Sequence, residues 1–127
     1  MGKKKILVIE DDKVMLEALR IELEDADYDV DVYEDGKSGL EAAMSGKADL
    51  IVLDLVLPKM HGFDVLSALK KAKDKKVRKI PVIILTNLTQ EVDREKGMEF
   101  GAVDFCVKAT TDLQGLKGKI KDILLKK

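Results

Sequence analysis

Several things are scarce in this sequence, and each scarcity closes a route. There is one cysteine, Cys106, so no internal disulfide can form, which fits a reducing compartment. There is one histidine, His61, and no Cys/His cluster with the spacing of a zinc site. Net charge is nearly absent: 23 Lys and Arg against 24 Asp and Glu leave −1, so no whole-chain basic field exists for DNA or a membrane. No apolar run approaches the ~18 residues of a membrane span. The basic opening MGKKK passes at once into a short strand-like run ending in acid, which is no signal peptide. The first apolar run is not followed by a glycine-rich turn, and no GxxxxGK[ST] occurs, so neither a dinucleotide fingerprint nor a P-loop is present. These absences lead to the expectation of a cytoplasmic protein without direct nucleic-acid or membrane contact.

What is present suits one domain. The chain has 127 residues, of which 46% are hydrophobic and 37% charged, a globular balance. Apolar runs of strand length recur at Ile6–Ile9, Leu50–Leu53, Val82–Leu85 and Val103–Val107, the last interrupted by Asp104. Short runs without alternation predict strands buried on both faces, as in a parallel sheet. DYDVDVY, Asp27 to Tyr33, instead alternates acid with Tyr28, Val30 and Val32 and reads as an edge strand. Between the strands lie helical stripes: Met15, Ala18, Leu19, Leu23 and Ala26; Leu40, Ala43 and Met44; Val65, Ala68, Leu69 and Ala72; Leu113, Leu116, Ile120, Ile123 and Leu124. The segment from Thr89 to Phe100 is polar with a poor stripe and predicts a weakly packed helix. The basic run KKAKDKKVRK, Lys70 to Lys79, reads as the end of the third helix and its loop, with cations at the negative end of the helix dipole; the other reading is a contact for an acidic partner. Five βα units predict a three-layer α/β domain, and an edge second strand gives the order 2-1-3-4-5.

In such a sheet, ligands bind beyond the carboxyl ends of the strands where strand order reverses. Strand one ends in Glu10-Asp11-Asp12, strand three at Asp54, strand four at Thr86-Asn87 and strand five at Lys108. Carboxylates gathered from strands one and three repel one another and call for a cation. Oxygen donors suit Mg²⁺, which takes one or two carboxylates plus a phosphate. Lys108 offers a fixed positive charge and Thr86 a hydroxyl, so the set describes a phosphoryl site with Asp54 as the nucleophile. Each residue alone has a plainer reading: Asp54 as a turn residue, Asp12 as a helix cap, His61 as a loop or cap residue.

KILVIEDD, DLIVLDLVLPKMHG, IPVIILT and DFCVK, in this order and spacing, resemble the receiver domain of two-component response regulators. The resemblance runs from about Lys4 to Leu125. It implies a flavodoxin-like three-layer (βα)5 sandwich forming a single receiver domain over residues 1–127. It implies that Asp54 accepts a phosphoryl group from a histidine kinase or phosphotransfer protein. Asp11 binds Mg²⁺ (or Mn²⁺ in its place) directly, Glu10 through water, and Asp54 and the Val56 carbonyl complete the metal's protein ligands. Lys108 pairs with the phosphoryl oxygens, Thr86 swings to hydrogen-bond them, and Phe105 takes the aromatic switch position and turns inward. The chain then catalyses only its own phosphorylation and dephosphorylation and turns over no metabolite. Output passes to a downstream protein target through the face of the fourth helix, fifth strand and fifth helix, which also suits a homodimer.

The sequence departs from the family pattern in places. Ala109 stands where proline usually follows the lysine, Asn87 where a small residue usually follows Thr86, and His61 where the loop often has Asp. Val56 and Leu88, two residues beyond Asp54 and Thr86, are apolar and cannot orient a water, so slow self-hydrolysis of the phosphoaspartate is expected. Two other readings are a phosphatase with an aspartyl nucleophile and a pseudo-receiver that is never phosphorylated. The first lacks the second acid of a D-x-D pattern, since position 56 is Val. The intact Glu10, Asp11, Asp54, Thr86 and Lys108 stand against the second, which Asn87 and Ala109 keep open.

Overall fold

A computed structural model describes residues 2–126; Met1 and Lys127, the ends of the expected 1–127 domain, lie outside the described residues. Five parallel strands form one sheet in the order β2-β1-β3-β4-β5, as expected. The strands are β1 (Lys5–Ile9), β2 (Asp29–Tyr33), β3 (Leu50–Leu53), β4 (Val82–Thr86) and β5 (Asp104–Val107). Helices α1 (Lys13–Asp25), α2 (Gly36–Ala43), α3 (Gly62–Lys70), α4 (Lys75–Arg78), α5 (Glu91–Glu99) and α6 (Leu113–Leu125) connect and cover them.

The continuous apolar strands behave as period-two elements with grease on both sides. Ile6, Val8, Leu50, Val52, Ile83, Leu85 and Cys106 join Leu19, Leu23, Leu116 and Ile120 of α1 and α6 in one core. Leu7, Ile9, Ile51, Leu53, Val82, Ile84 and Phe105 join Ala43, Phe63, Val65, Leu66 and Leu69 of α2 and α3 in the other. The sheet is thus the middle of three layers. No residue of β2 is fully buried, in keeping with its place at the edge. Its acids are not simply solvated, because Lys5 of the neighbouring β1 bridges Asp29 and Asp31.

The helical stripes overshoot at their ends. Ala26 and Met44 are the exposed C-caps of α1 and α2, and α1 buries Leu16 instead. A further correction concerns Lys70–Lys79, read from sequence as a helix end and loop. It contains a helical turn of its own, α4, capped by Asp74, whose carboxylate accepts from Lys76 N. Val77 and Ile80 plug this turn into the core, while Arg78 Nη1 donates to the carbonyls of Ala72 and Lys73. Lys70 Nζ donates to the Arg78 and Ile80 carbonyls, so two of the cations hold the connection together.

The helix over Thr89–Phe100 is shorter than expected, and Gly97 is its only buried residue. Each strand's C-terminal end opens on the same rim of the sheet, and the candidate residues sit there.

Candidate functional site

β1 and β3 are neighbours in register from Ile6↔Leu50 to Ile9↔Leu53, so the residues that follow them emerge side by side. Glu10 N donates to the Tyr33 carbonyl and Asp54 N to the Ile9 carbonyl, which extends the ladder one step past the strands and fixes both acids. Asp54 is 6% exposed and Glu10 2%. Asp11 lies outside on the exposed rim. A carboxylate oxygen from each of Glu10, Asp11 and Asp54 lies within 4.8 Å of the others.

Lys108 enters from the end of β5 and holds this cluster from within. Its Nζ is 2.6 Å from Glu10 Oε1 and donates to Asp54 Oδ2 at 2.9 Å. The other Asp54 oxygen accepts from Leu55 N at 2.7 Å, and Glu10 Oε2 accepts from Asp12 N at 3.0 Å. The Asp54 carboxylate is therefore oriented by one backbone and one ammonium donor. Burial pushes the Glu10 carboxyl up to about 7; the Lys108 ammonium and the Asp12 N–H act against this, and the nearby Asp54 charge adds to it. For Lys108, burial favours the neutral amine, yet its bonds to Glu10 and Asp54 prevail and raise its pKa.

Two glycines let the loops close on the site. Gly62 N donates to the Leu55 carbonyl at 2.7 Å, and a Cβ on Gly62 would lie 2.6 Å from Leu55 Cα. The start of α3 thus rests on the backbone of Asp54-Leu55. Gly36 at the start of α2 likewise lies against the Met60 carbonyl and donates to the Pro58 carbonyl. Nothing in the bare sequence marks Gly62 as a support of Asp54; only its place opening a helix was legible.

The other candidates fall as follows. Thr86 is fully buried at the end of β4, and its Oγ1 accepts a long bond from Leu88 N, 3.4 Å. Asn87 beside it is exposed, and Leu88 is half-buried. Phe105 is 4% exposed and points into the core. Val56, in the loop after Asp54, is 57% exposed. Lys108 opens a short 3₁₀ turn through Thr110, and with no cis peptide among the described residues the Lys108–Ala109 bond is trans. Asp12 takes the plainer role: its Oδ1 caps α1 by accepting from Val14 N and Met15 N. His61 also caps a helix, Nδ1 accepting from Phe63 N at 3.1 Å.

Chemically, the rim offers an oriented buried carboxylate, a fixed ammonium, a hydroxyl and an all-oxygen acidic cluster. Three carboxylates at this spacing fit a hard divalent cation, which takes oxygen ligands and keeps waters.

Comparison with known proteins agrees with this geometry. The family model described as the response regulator receiver domain matches residues 6–121. The chain is 37% identical over 120 residues to the response regulator ArlR of Staphylococcus saprophyticus, covering 94% of this chain and 52% of that protein. It is 34% identical over 120 residues to ArlR of Staphylococcus aureus, with the same coverage, 94% and 52%. The chain therefore spans about half the length of these curated relatives. Among solved structures, the BeF3-activated receiver domain of Klebsiella pneumoniae RstA aligns with a TM-score of 0.84 at 28% identity, covering 95% of this chain and 98% of that one. A CheY-like receiver domain protein of Methanospirillum hungatei aligns with a TM-score of 0.89 at 24% identity, covering 98% and 96%, and shows the shared fold.

Proposed function

The chain belongs to the response regulator receiver domain family, and on that premise we propose that Asp54 is its phosphoacceptor, phosphorylated by the phosphohistidine of a histidine kinase or phosphotransfer protein. The observation that carries the reading is the ammonium of Lys108 bridging two buried carboxylates, Asp54 at 2.9 Å and Glu10 at 2.6 Å. A phosphoryl group arriving at Asp54 enters a place already supplied with a fixed positive charge.

In the transfer, an Asp54 oxygen forms a bond to phosphorus while the P–N bond to imidazole breaks. The imidazole nitrogen keeps the electron pair and takes up a proton. The transition state is loose, so the protein's work is positioning and charge neutralisation. Leu55 N–H holds one Asp54 oxygen in place. Lys108 moves from pairing with Asp54 Oδ2 to pairing with the phosphoryl oxygens. Thr86, whose Oγ1 accepts from Leu88 N, supplies its hydroxyl hydrogen as a donor to them. Glu10, Asp11 and Asp54, with the Val56 carbonyl, would hold Mg²⁺, or Mn²⁺ in its place, which when bound neutralises charge on the transferring group.

The domain on this reading modifies itself and turns over no separate metabolite. Its product is a changed surface for a downstream protein. The face of α5, β5 and α6 suits that role and a homodimer, because Val92 and Met98 of α5 leave apolar side chains 62% and 41% exposed.

The test is intact mass after incubation with Mg²⁺ and acetyl phosphate. The expected result is a gain of one phosphoryl group that is absent from Asp54→Asn. A wild-type protein that gains nothing, or an Asp54→Asn variant that gains as much, contradicts the assignment.

A further inference from the structure

Helix α5 is held on the molecule by very little. Of its residues only Gly97 is buried, and its N-cap, Gln90, makes no side-chain hydrogen bond. A short helix without an apolar stripe does not stand by itself; its stability comes from what it touches. At its C-cap, Phe100 packs edge-on against Phe63 of α3 at 5.8 Å between ring centroids, and the helix itself makes further contacts. Gly97 lets the helix backbone lie directly on the sheet, since a Cβ there would be 2.7 Å from Ile84 Cδ1 and 3.2 Å from Phe105 Cδ2. Lys96 Nζ stands over the rings of Phe63 and Phe100, 4.7 and 5.5 Å from their centroids. Arg94 Nη1 donates to the Phe105 carbonyl at 3.1 Å. Among the described residues, no other α5 side chain has a hydrogen bond to the sheet.

The Arg94 bond has a particular position. β5 is the edge strand opposite β2, paired on one side only, by β4. Phe105 lies on it three residues before Lys108, whose ammonium bridges Asp54 and Glu10. One end of the bond is therefore the strand that delivers a site residue. The other end is helix α5, which carries the exposed Val92 and Met98. A guanidinium bonded to a main-chain carbonyl is charge-assisted, and its donors are preorganised.

We propose that Arg94 is a positioning residue that couples the Lys108 strand to helix α5, so that a change at Asp54 reaches the α5 surface through the Phe105 main chain. This rests on the assignment of Asp54 as phosphoacceptor. Arg94 touches none of the reacting groups. Its effect runs through β5 on one side and through the anchoring of α5 on the other, and coupling between the two is reciprocal.

The experiment is amide hydrogen exchange on the wild-type domain, Arg94→Ala and Arg94→Lys, each with and without Mg²⁺ and acetyl phosphate. In the unphosphorylated protein, Arg94→Ala is expected to speed exchange over residues 91–99 about tenfold, the scale of one lost charge-assisted bond, and to leave β1 and β3 unchanged. Phosphorylation should alter α5 exchange in the wild type and much less in Arg94→Ala. Arg94→Lys, which keeps one donor, should restore part of both effects. Unchanged α5 exchange in unphosphorylated Arg94→Ala overturns the anchor. A phosphorylation response that is absent from the wild type, or undiminished in Arg94→Ala, overturns the coupling. Should Arg94→Ala lose protection throughout the sheet, Arg94→Met, which keeps an unbranched apolar stem and has no donor, decides the question by the same criteria. A wild-type protein that takes no phosphoryl group, read by mass in the same samples, overturns the phosphoacceptor assignment, and α5 exchange without donor still reports on the anchor.

Discussion

Glu10 and Asp54 would not share a buried rim without Lys108 between them. Removing one partner of a buried ion pair leaves an uncompensated charge and is far more costly than the pair's net worth. The raised pKa of Glu10 gives this a pH signature. Its folded-state value of about 7 exceeds the ordinary 4.5, so between these values the folded state binds more protons than the unfolded one. Stability must then fall as pH rises from about 4.5 to about 7, by roughly 3 kcal/mol at most from this group. In a metal-free protein, urea titrations across that range should show the decline, and Glu10→Gln should flatten it. Stability that is constant or rises over that range in the wild type contradicts the account. Two other residues act by shape. Gly62→Ala would press a methyl group into the Asp54-Leu55 backbone and should cost about 1–3 kcal/mol by overpacking, together with slower phosphorylation by acetyl phosphate. Val56 and Leu88 carry no group that orients water, so the phosphorylated protein, freed of donor, should lose its phosphoryl group over minutes or longer when followed by mass. A lifetime of seconds would contradict that.

At the scale of elements, the α3–β4 connection shows what charge patterning hides. Arg78→Ala removes donors from two carbonyls at an exposed site and should lower stability by about 1 kcal/mol in a urea titration, leaving phosphorylation by acetyl phosphate as it was. The strands were legible because Leu50–Leu53 and Val82–Leu85 are buried on both faces, and a continuous apolar run admits few other readings. The edge character of β2 showed in its alternating acids. α4 was not legible: its lysines dominate the segment, and the signal that could have found it, Asp74 as a cap before Val77 and Ile80, is weak in so short a turn. The weak packing of α5 could be read from its missing stripe. What holds it could not, because Gly97 against Phe105 and Arg94 on a main-chain carbonyl depend on tertiary approach and not on period.

For the whole molecule, the strand order does the assembling. Glu10 and Asp11, Asp54, Thr86 and Lys108 are scattered over a hundred residues, and the order 2-1-3-4-5 sets the ends of β1, β3, β4 and β5 along one rim. The residue types at strand ends were therefore enough to expect these side chains together on one rim. Lys108 bonding both Glu10 and Asp54 was not foreseeable, since it depends on how far the end of β5 leans over β3 and β1. The comparisons with ArlR and RstA place the chain in the receiver family, and the chain spans about half the length of ArlR. The central claim, that the carboxylate of Asp54 forms an acyl phosphate, is tested most directly by phosphorylating the protein with acetyl phosphate and Mg²⁺, reducing it with borohydride and mapping the peptides. Reduction of an aspartyl phosphate leaves homoserine, and the account predicts that conversion at residue 54 alone. No conversion, or conversion at another carboxylate such as Asp11, would contradict it.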